Sequence, residues 1–204
     1  MAISIQYNKT ALQGLEKQLK VRERALPTLK NKESALRMEV KRAKDRAVAL
    51  ERELIGQVQQ YEKLSRLWGE YDPNLIGIKD VKLASKKIAG VFTPILEDIQ
   101  FETGEINSFN QPLWYADGVE IIRKLTGIAV EREIFMKKTE LLDFARKKTT
   151  QKVNLYEKVQ IPGFHDAIRK IRRYLEDEDN LSKSAQKIVK NRQQKQQQEE
   201  EEEQ

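Results

Sequence analysis

The side chains that usually carry out catalysis are few in this sequence and do not combine into a catalytic set. Histidine occurs once, at His165, and cysteine is absent. A single histidine leaves no His-containing metal cluster and no choice of base for a Ser/His/Asp triad. The nine glycines never form G-x-G-x-x-G or the phosphate-binding G-x-x-x-x-G-K-[ST] loop. The sequence therefore predicts a non-enzymatic protein without a cofactor or metal ion, in which His165 is a side chain near Pro162-Gly163 rather than a catalytic base.

Charged side chains are the other source of possible chemistry, since they make up 34% of the 204 residues. The formal charge is +6, and because five negative charges lie in Glu199–Glu203, the rest of the chain carries +11. Carboxylates stand four residues before basic side chains, as in Glu16 with Lys20, which is typical of solvated helix faces. A basic body suits nucleic acid, an anionic membrane surface or an acidic protein partner. Charge alone does not choose among these partners.

The longest pattern in the sequence is an apolar seam from Leu12 to Trp68. Alternating steps of three and four residues reach apolar side chains at every position except Arg22, Glu33 and Gln57. The repeat of 3.5 residues predicts a helix in a left-handed coiled coil, and one helix cannot bury its own stripe, so a partner helix is required. The seam residues are Leu12, Leu15, Leu19, Arg22, Leu26, Leu29, Glu33, Leu36, Val40, Ala43, Ala47, Leu50, Leu54, Gln57, Tyr61, Leu64 and Trp68.

A second striped stretch supplies that partner helix. It runs from Ile121 towards Val189 and slips by one residue at Pro162-Gly163, which predicts a kink or a short interruption. Pro27 predicts a kink rather than a break in the first helix, because the seam keeps its phase on both sides. Four regions follow: a coiled-coil helix at 8–72, a middle region at 73–116, a second coiled-coil helix at 117–190 and a disordered Gln/Glu tail at 191–204.

The middle region has β-branched residues, glycines and prolines in place of the seam. Ile78–Ala84 and Ile88–Leu96, separated by Ser85–Lys87, predict a short β-hairpin with Pro94 on an edge strand. An isolated hairpin is marginal in water, so it must pack on the helices or on another protein. Four aromatic residues nearby predict a small local core rather than an exposed binding patch. These are Phe101, Phe109, Trp114 and Tyr115.

The sequence thus predicts a mostly α protein in which two long helices form an intramolecular antiparallel coiled coil. The polar seam positions weaken the core, and they either set the register of the pair or mark a shaft that a surrounding protein grips. On the second helix these positions are Arg132, Thr139, Arg146 and Thr149.

Three stretches of the chain resemble the D subunit of V-type and archaeal-type rotary ATPases. They are the opening helix NKTALQGLEKQLKVRERALPTLKNKESAL, the middle segment KIAGVFTPIL, and the returning segment TTQKVNLYEKVQIPGFHDAIRKIRRYLEDED. The resemblance covers about Asn8 to Lys190, with both helices and the insertion in the expected order. It does not include the Gln/Glu tail, and residues 97–113 match poorly.

The resemblance implies a central-stalk rotor shaft that couples ATP hydrolysis or synthesis to ion transport across the membrane. The implied partners are the catalytic A and B subunits, the small F subunit and the subunit that links the stalk to the membrane ring. Candidate contacts with the hexamer of A and B subunits are Lys17, Lys20, Arg24, Lys30, Lys183, Lys187 and Lys190. Candidate contacts of the hairpin with a partner are Val81, Leu83, Ile88, Val91 and Phe92.

Two other functions use the same residues. A basic helical hairpin that binds nucleic acid would explain the charge, although aromatic side chains for base stacking are scarce on both helices. A parallel homodimeric coiled coil would make stability depend on concentration. The sequence contains neither a signal peptide nor an apolar run of about 18 residues, which predicts a soluble chain. The resemblance implies a cytoplasmic location, peripheral on the membrane through the complex.

Overall fold

The computed structural model describes residues 6–62, 65–104 and 112–202, which are mostly helical. Long helices lie towards both ends of the sequence, with one antiparallel β-hairpin between them, which confirms the predicted mostly α class. Leu64 and Phe109 lie outside the described residues. The elements are α1 (Lys9–Tyr61), α2 (Ser65–Trp68), a 3-10 turn (Pro73–Leu75), β1 (Ile76–Ile88), β2 (Val91–Thr103), α3 (Trp114–Asn154), a π-helix (Leu155–Gln160) and α4 (Ile161–Glu202).

Helix α1 begins after Asn8, as the sequence predicted. The side-chain Oδ1 of Asn8 accepts a hydrogen bond of 2.6 Å from the backbone N–H of Ala11, which satisfies a donor left free in the first helical turn. The helix continues through Pro27, so the prediction of an unbroken helix is confirmed. Packing of the seam on both sides of Pro27 offsets the cost of an internal proline, about 3 kcal/mol.

The seam is the buried side of α1. Every seam residue that the structure describes is buried or half-buried, and Leu36 and Leu50 are only 0% and 1% exposed. Full burial of one such side chain contributes about 1.5–3 kcal/mol. The polar seam residues Arg22, Glu33 and Gln57 are half-buried. Apolar burial along the seam is therefore the main source of stability for this helix.

The chain divides into two compact units, Met1–Lys30 with Gln151–Gln204, and Asn31–Thr150. In the first unit α1 and α4 are antiparallel, because Glu16 pairs with Arg172 while the later Glu23 lies near the earlier His165. The predicted pairing of Glu16 with Lys20 was wrong, since the Arg172 guanidinium lies 2.6 Å from the Glu16 carboxylate. The buried core of this unit consists of Leu15, Leu19, Phe164, Ala167, Ile168 and Ile171.

A π-helix between α3 and α4 explains the one-residue slip of the second stripe. The backbone N–H of Ile161 donates to the carbonyl of Tyr156, five residues back instead of four. Pro162 has no N–H for the carbonyl of Lys158, and in an α-helix its ring would clash with that carbonyl. The wider turn avoids this conflict and takes up one extra residue. The predicted interruption is thus a local widening of a helix that remains continuous.

The second unit pairs the rest of α1 with α3, again in antiparallel sense. Glu33 accepts a hydrogen bond from Thr150, whereas Arg46, later in α1, pairs with Glu131, earlier in α3. The hairpin packs on these helices through its turn. The residues of this shared core are Leu36, Ala43 and Leu142, with Val40, Ile88, Ala89, Val91, Phe135 and Ala145 packed against them.

The hairpin is longer than the sequence predicted, and its turn lies elsewhere. Each strand has 13 residues, and Ser85–Lys87 belong to β1 instead of forming the loop. The turn consists of Ala89 and Gly90, with φ of 47° and 81°. Positive φ at both central residues is the mark of a type I′ turn, whose twist matches that of the strands. Glycine adopts this conformation freely, whereas Ala89 is held in it by packing on the helices.

A cluster of aromatic rings packs where α2 approaches the start of α3. Adjacent ring centroids of Trp68, Tyr71, Trp114 and Tyr115 lie 5.0–5.7 Å apart. The Tyr115 hydroxyl donates to the backbone carbonyl of Glu70. The predicted local core is confirmed for Trp114 and Tyr115.

Phe101 does not belong to this aromatic cluster. The Arg123 guanidinium lies 5.5 Å from the centroid of its ring, an arrangement typical of a cation–π contact. The second long helix also begins earlier than predicted, at Trp114 instead of residue 117. Tyr115, in its first turn, donates a backbone hydrogen bond of 3.0 Å to the carbonyl of Pro112.

Helix α4 continues through Glu202, into the tail that the sequence predicted to be disordered. All residues from 176 to 195 are exposed, and packing in the first unit ends at Leu175. Ala185 is therefore outside the core, although the sequence placed it on the stripe. An isolated helix of this kind is marginal in water, so disorder of residues 191–204 in the free chain stays a prediction.

Hydrogen exchange tests that prediction. We expect backbone amides of residues 191–195 in the free chain to exchange almost as fast as in an unstructured peptide, because no tertiary packing protects their hydrogen bonds. The internal control is the packed segment 164–171 of the same helix, whose amides should exchange far more slowly. Equal protection of the two segments would contradict the predicted disorder.

Candidate partner-binding surfaces

The only histidine lies on the surface of the first unit. His165 is 52% exposed at its side chain, and its Nε2 lies 3.4 Å from a carboxylate oxygen of Glu23. In the described part of the chain, no three acidic or histidine side chains form a group able to hold a metal ion. His165 therefore makes a polar contact with Glu23 at the surface.

The basic face of α1 is a set of three exposed cations, Lys17, Lys20 and Arg24. Their spacing of three and four residues places them on one side of the helix. Within the described ranges, none of the three takes part in an ion pair, whereas Glu16 on the same helix is bound by Arg172. These cations are available to carboxylates of a partner.

Lys30 differs from the other predicted contacts on α1. Its position in the sequence places it about 80° around the helix from Lys20 and farther from Lys17 and Arg24, beyond the edge of the basic face. Its ammonium lies 2.6 Å from the carboxylate of Glu157, and both side chains are about half exposed, 48% and 44%. The structure therefore separates Lys30 from the basic face and gives it a partner within the chain.

The basic face of α4 consists of Lys183, Lys187 and Lys190, which also share one side of their helix. They lie in the exposed run from 176 to 195, where Leu181, Ile188 and Val189 are 72%, 55% and 54% exposed. A helical end with apolar and basic side chains in contact with water favours binding to another protein. The structure thus groups six of the seven predicted basic contacts into two faces.

The hairpin residues proposed as contacts divide into two groups. Ile88 and Val91 pack on the core formed by Leu36, Ala43 and Leu142. Leu83 and Phe92 are 53% and 66% exposed, and Val81 is half-buried. Only part of the predicted set is therefore available on the surface of this chain.

Arg22 makes contacts that its place in the seam did not reveal. Its Nε donates a hydrogen bond of 2.7 Å to the Gln160 side chain at the end of the π-helix, and its guanidinium lies 4.5 Å from the centroid of the Phe164 ring. It also donates to the carbonyl of Gln18 on its own helix. The available sequence signal was only that Arg22 is a polar residue in the apolar seam. Arg22 thus ties α1 to both sides of the Pro162 irregularity.

A groove of about 690 Å³ lies between α1 and α3 in the second unit. The residues that line it include Val40, Ala47, Met136 and Asp143. Hydrogen bonds from the Arg146 and Lys147 side chains lower the pKa of Asp143. Asp143 therefore stays ionised at neutral pH and does not serve as a general acid.

Comparison with known protein families matches residues 11–191 to a family described as the D subunit of ATP synthase. The chain belongs to the family of ATP synthase D subunits. It is similar to the V-type ATP synthase D subunit of Borreliella burgdorferi, with 33% identity over 192 residues that cover 92% of this chain and 94% of the relative. The V-type ATP synthase D subunit of Chlamydia felis is 26% identical over 189 residues, covering 87% and 88% of the two chains. The predicted resemblance is confirmed.

The match to the ATP synthase D subunits includes both helices, the hairpin and the two basic faces. It ends at residue 191, so most of the Gln/Glu tail lies beyond it. No helix in the described portion of this family member is both long and apolar enough to cross a membrane.

Substitution of Arg22 tests its role between the helices. We expect Arg22→Met to lower the free energy of unfolding by about 1–3 kcal/mol, because it removes a charged hydrogen bond and a cation–π contact while keeping the apolar stem. Urea denaturation followed by circular dichroism measures the change. Arg24→Met is the matched control, since Arg24 is exposed, and it should change stability by less than about 0.5 kcal/mol. Equal effects of the two substitutions would contradict the assigned role.

Proposed function

We propose that this chain is the central-stalk rotor shaft of a V-type rotary ATPase or ATP synthase. In this role it is a non-catalytic subunit that couples ATP hydrolysis or synthesis in the catalytic hexamer to ion transport across the membrane. The observation that carries the proposal is the match to the ATP synthase D subunit over residues 11–191. Near full-length similarity to the V-type ATP synthase D subunit of Borreliella burgdorferi supports it.

Transmission of torque requires helices that do not slide past one another. In each unit the apolar seam interlocks with the facing helix, and polar contacts reinforce the register. In the first unit Arg172 pairs with Glu16 at 2.6 Å, and in the second Arg46 pairs with Glu131 at 2.9 Å. Exposed ion pairs contribute at most about 1 kcal/mol each. The seam therefore supplies most of the resistance to sliding, and the polar contacts select one alignment.

The two basic faces are the proposed contacts with the hexamer of A and B subunits. Lys17, Lys20 and Arg24 lie on one side of α1 only, so a shaft that turns presents positive charge to acidic loops of the hexamer at some angles and not at others. The face formed by Lys183, Lys187 and Lys190 acts in the same way. Lys30 contributes less, because a new contact would exchange the carboxylate of Glu157 for another carboxylate.

The second unit is the proposed contact region for the other partners. These are the small F subunit and the subunit that links the stalk to the membrane ring. Of the predicted hairpin contacts, Val81, Leu83 and Phe92 are the available ones, since Ile88 and Val91 pack on the core. The groove beside Asp143 is a second available surface. The complex would hold the chain on the cytoplasmic side as a peripheral component of the membrane.

Affinity purification tests the shaft proposal. The tagged full chain, isolated from detergent-solubilised membranes of its own cell, should recover nucleotide-binding subunits in a fixed ratio, because the seam and basic faces hold it in an assembled complex. The companions are identified by mass at moderate and at high salt. Recovery of nucleic acid alone, lost at high salt, would overturn the proposal in favour of the basic-hairpin alternative.

Charge reversal tests the basic face of α1 within the assembled complex. The triple substitution Lys17→Glu, Lys20→Glu and Arg24→Glu should weaken the affinity for the hexamer by about tenfold, since three exposed ion pairs contribute about 0.5 kcal/mol each. Reconstitution with purified hexamer measures the affinity, and ions transported per ATP hydrolysed measures the coupling.

A control triple, Lys41→Glu, Lys124→Glu and Lys148→Glu, matches the charge change at exposed positions outside the proposed faces. It should leave the affinity and the coupling close to those of the unmodified chain. The same loss in both triples would show a general charge effect and would exclude a specific contact at the basic face.

A further inference from the structure

The hairpin has an inner and an outer face, which the strand register defines. Neighbouring pairs are Lys87 with Phe92 and Leu83 with Leu96, and Ser85 with Pro94 lies between them. Alternate residues of a strand point to the same side of a sheet, so these six residues share one side. This side, the outer hairpin face, consists of Leu83, Ser85, Lys87, Phe92, Pro94 and Leu96.

The inner face packs on the helices of the same chain at its turn end. Ile88, Ala89 and Val91 pack on the core that includes Leu36 and Leu142. Thr93 is 1% exposed, and its hydroxyl donates a hydrogen bond of 3.0 Å to the carbonyl of Lys86. The turn and the inner side chains next to it are therefore packed on the helices of this chain.

The outer hairpin face presents large apolar side chains to water. Phe92 is 66% exposed and Leu83 is 53% exposed. Lys87 covers only part of Phe92, since its Nζ lies 5.5 Å from the ring centroid. Clusters of exposed apolar residues rimmed by polar ones mark interaction sites. This face is the part of the hairpin that a partner would bury.

Positive charge surrounds the turn end of the outer hairpin face. Lys87 lies on this face, whereas Lys86 is the register partner of the inner-face residue Thr93. Lys82, Lys86 and Lys87 are all exposed and form no ion pair with any described residue. Lys32 of α1 adds a fourth cation next to the turn. Its Nζ lies 3.4 Å from the position that a Cβ on Gly90 would occupy. Acidic residues of β2, Glu97 and Asp98, lie farther from the turn, and Asp98 is the register partner of Lys82. The charge therefore favours a partner with carboxylates towards the turn.

We propose that the outer hairpin face binds a protein surface with an apolar pocket, filled by Phe92 and Leu83, and with carboxylates that face Lys87 and the other lysines around the turn. The inference rests on the proposed shaft function, and the partner is a neighbouring protein of that complex. Loops that insert into a bilayer do so by their tips, whereas here Ala89 is packed on the helices. A second copy of the chain would oppose lysines to lysines.

Site-specific photo-crosslinking tests the proposal in the assembled complex. A benzoylphenylalanine replaces Phe92 in the full chain, which changes an exposed side chain and preserves the fold. The matched control is the same replacement at Phe144, an exposed phenylalanine of α3 that is 60% exposed and has the Lys148 ammonium 4.3 Å from its ring centroid. We expect one protein product from position 92 that position 144 does not form.

Charge reversal then tests the chemistry of the partner. Lys82→Glu, Lys86→Glu and Lys87→Glu in the crosslinking chain should abolish the product from position 92, whereas Lys41→Glu should not. A product that survives the triple substitution would overturn the acidic partner surface. Crosslinking only to lipid, only to a second copy, or to nothing in a normally assembled complex would overturn the docking site while the shaft function stands. A chain that recovers no hexamer subunits would overturn both proposals.

Discussion

Burial of the apolar seam of α1 is the requirement that the other elements serve. An exposed stripe costs about 25 cal/mol for each Å² of apolar surface left in water, and a single helix cannot turn its stripe inward. The returning segment supplies the cover, in the first unit through Phe164 and Ile171 and in the second through Leu142. Continuity through Pro27 follows from the same requirement, because a break there would shift the seam out of phase with the facing helix.

The second requirement is that the stripe of the returning segment stays in register with the seam of α1. The π-helix meets this requirement without interrupting the helix. A proline in the returning segment conflicts with α-helical hydrogen bonding, and one extra residue in the turn resolves that conflict. The stripe before Leu155 and the stripe after Gln160 then both face the core, although they are out of phase in sequence. Arg22 bonds to Gln160 and lies against Phe164, so a polar side chain in the seam occupies the place where the helix is widened.

Some surfaces of this chain pack on each other and others remain exposed for partners, and the exposed ones are those that the proposed shaft function requires. The seam and the inner face of the hairpin are used internally. The basic faces of α1 and α4, and Leu83 and Phe92 of the outer hairpin face, remain exposed to water. A rotor shaft of the proposed kind would act through such surfaces, and their charge is one-sided on each helix.

The amino-acid order alone predicted the repeating seam and its one-residue slip. It also predicted the start of the first helix at Asn8 and the family. These depend on local spacing, which a sequence displays directly. The three-dimensional arrangement was needed to find that Glu16 pairs with Arg172, that Lys30 is bound by Glu157, and that Phe92 stays exposed while Val91 is packed. It also placed the turn at Ala89-Gly90 instead of Ser85–Lys87. Each of these outcomes depends on residues distant in sequence, because packing on the helices holds Ala89 at a positive φ that an alanine rarely adopts by itself.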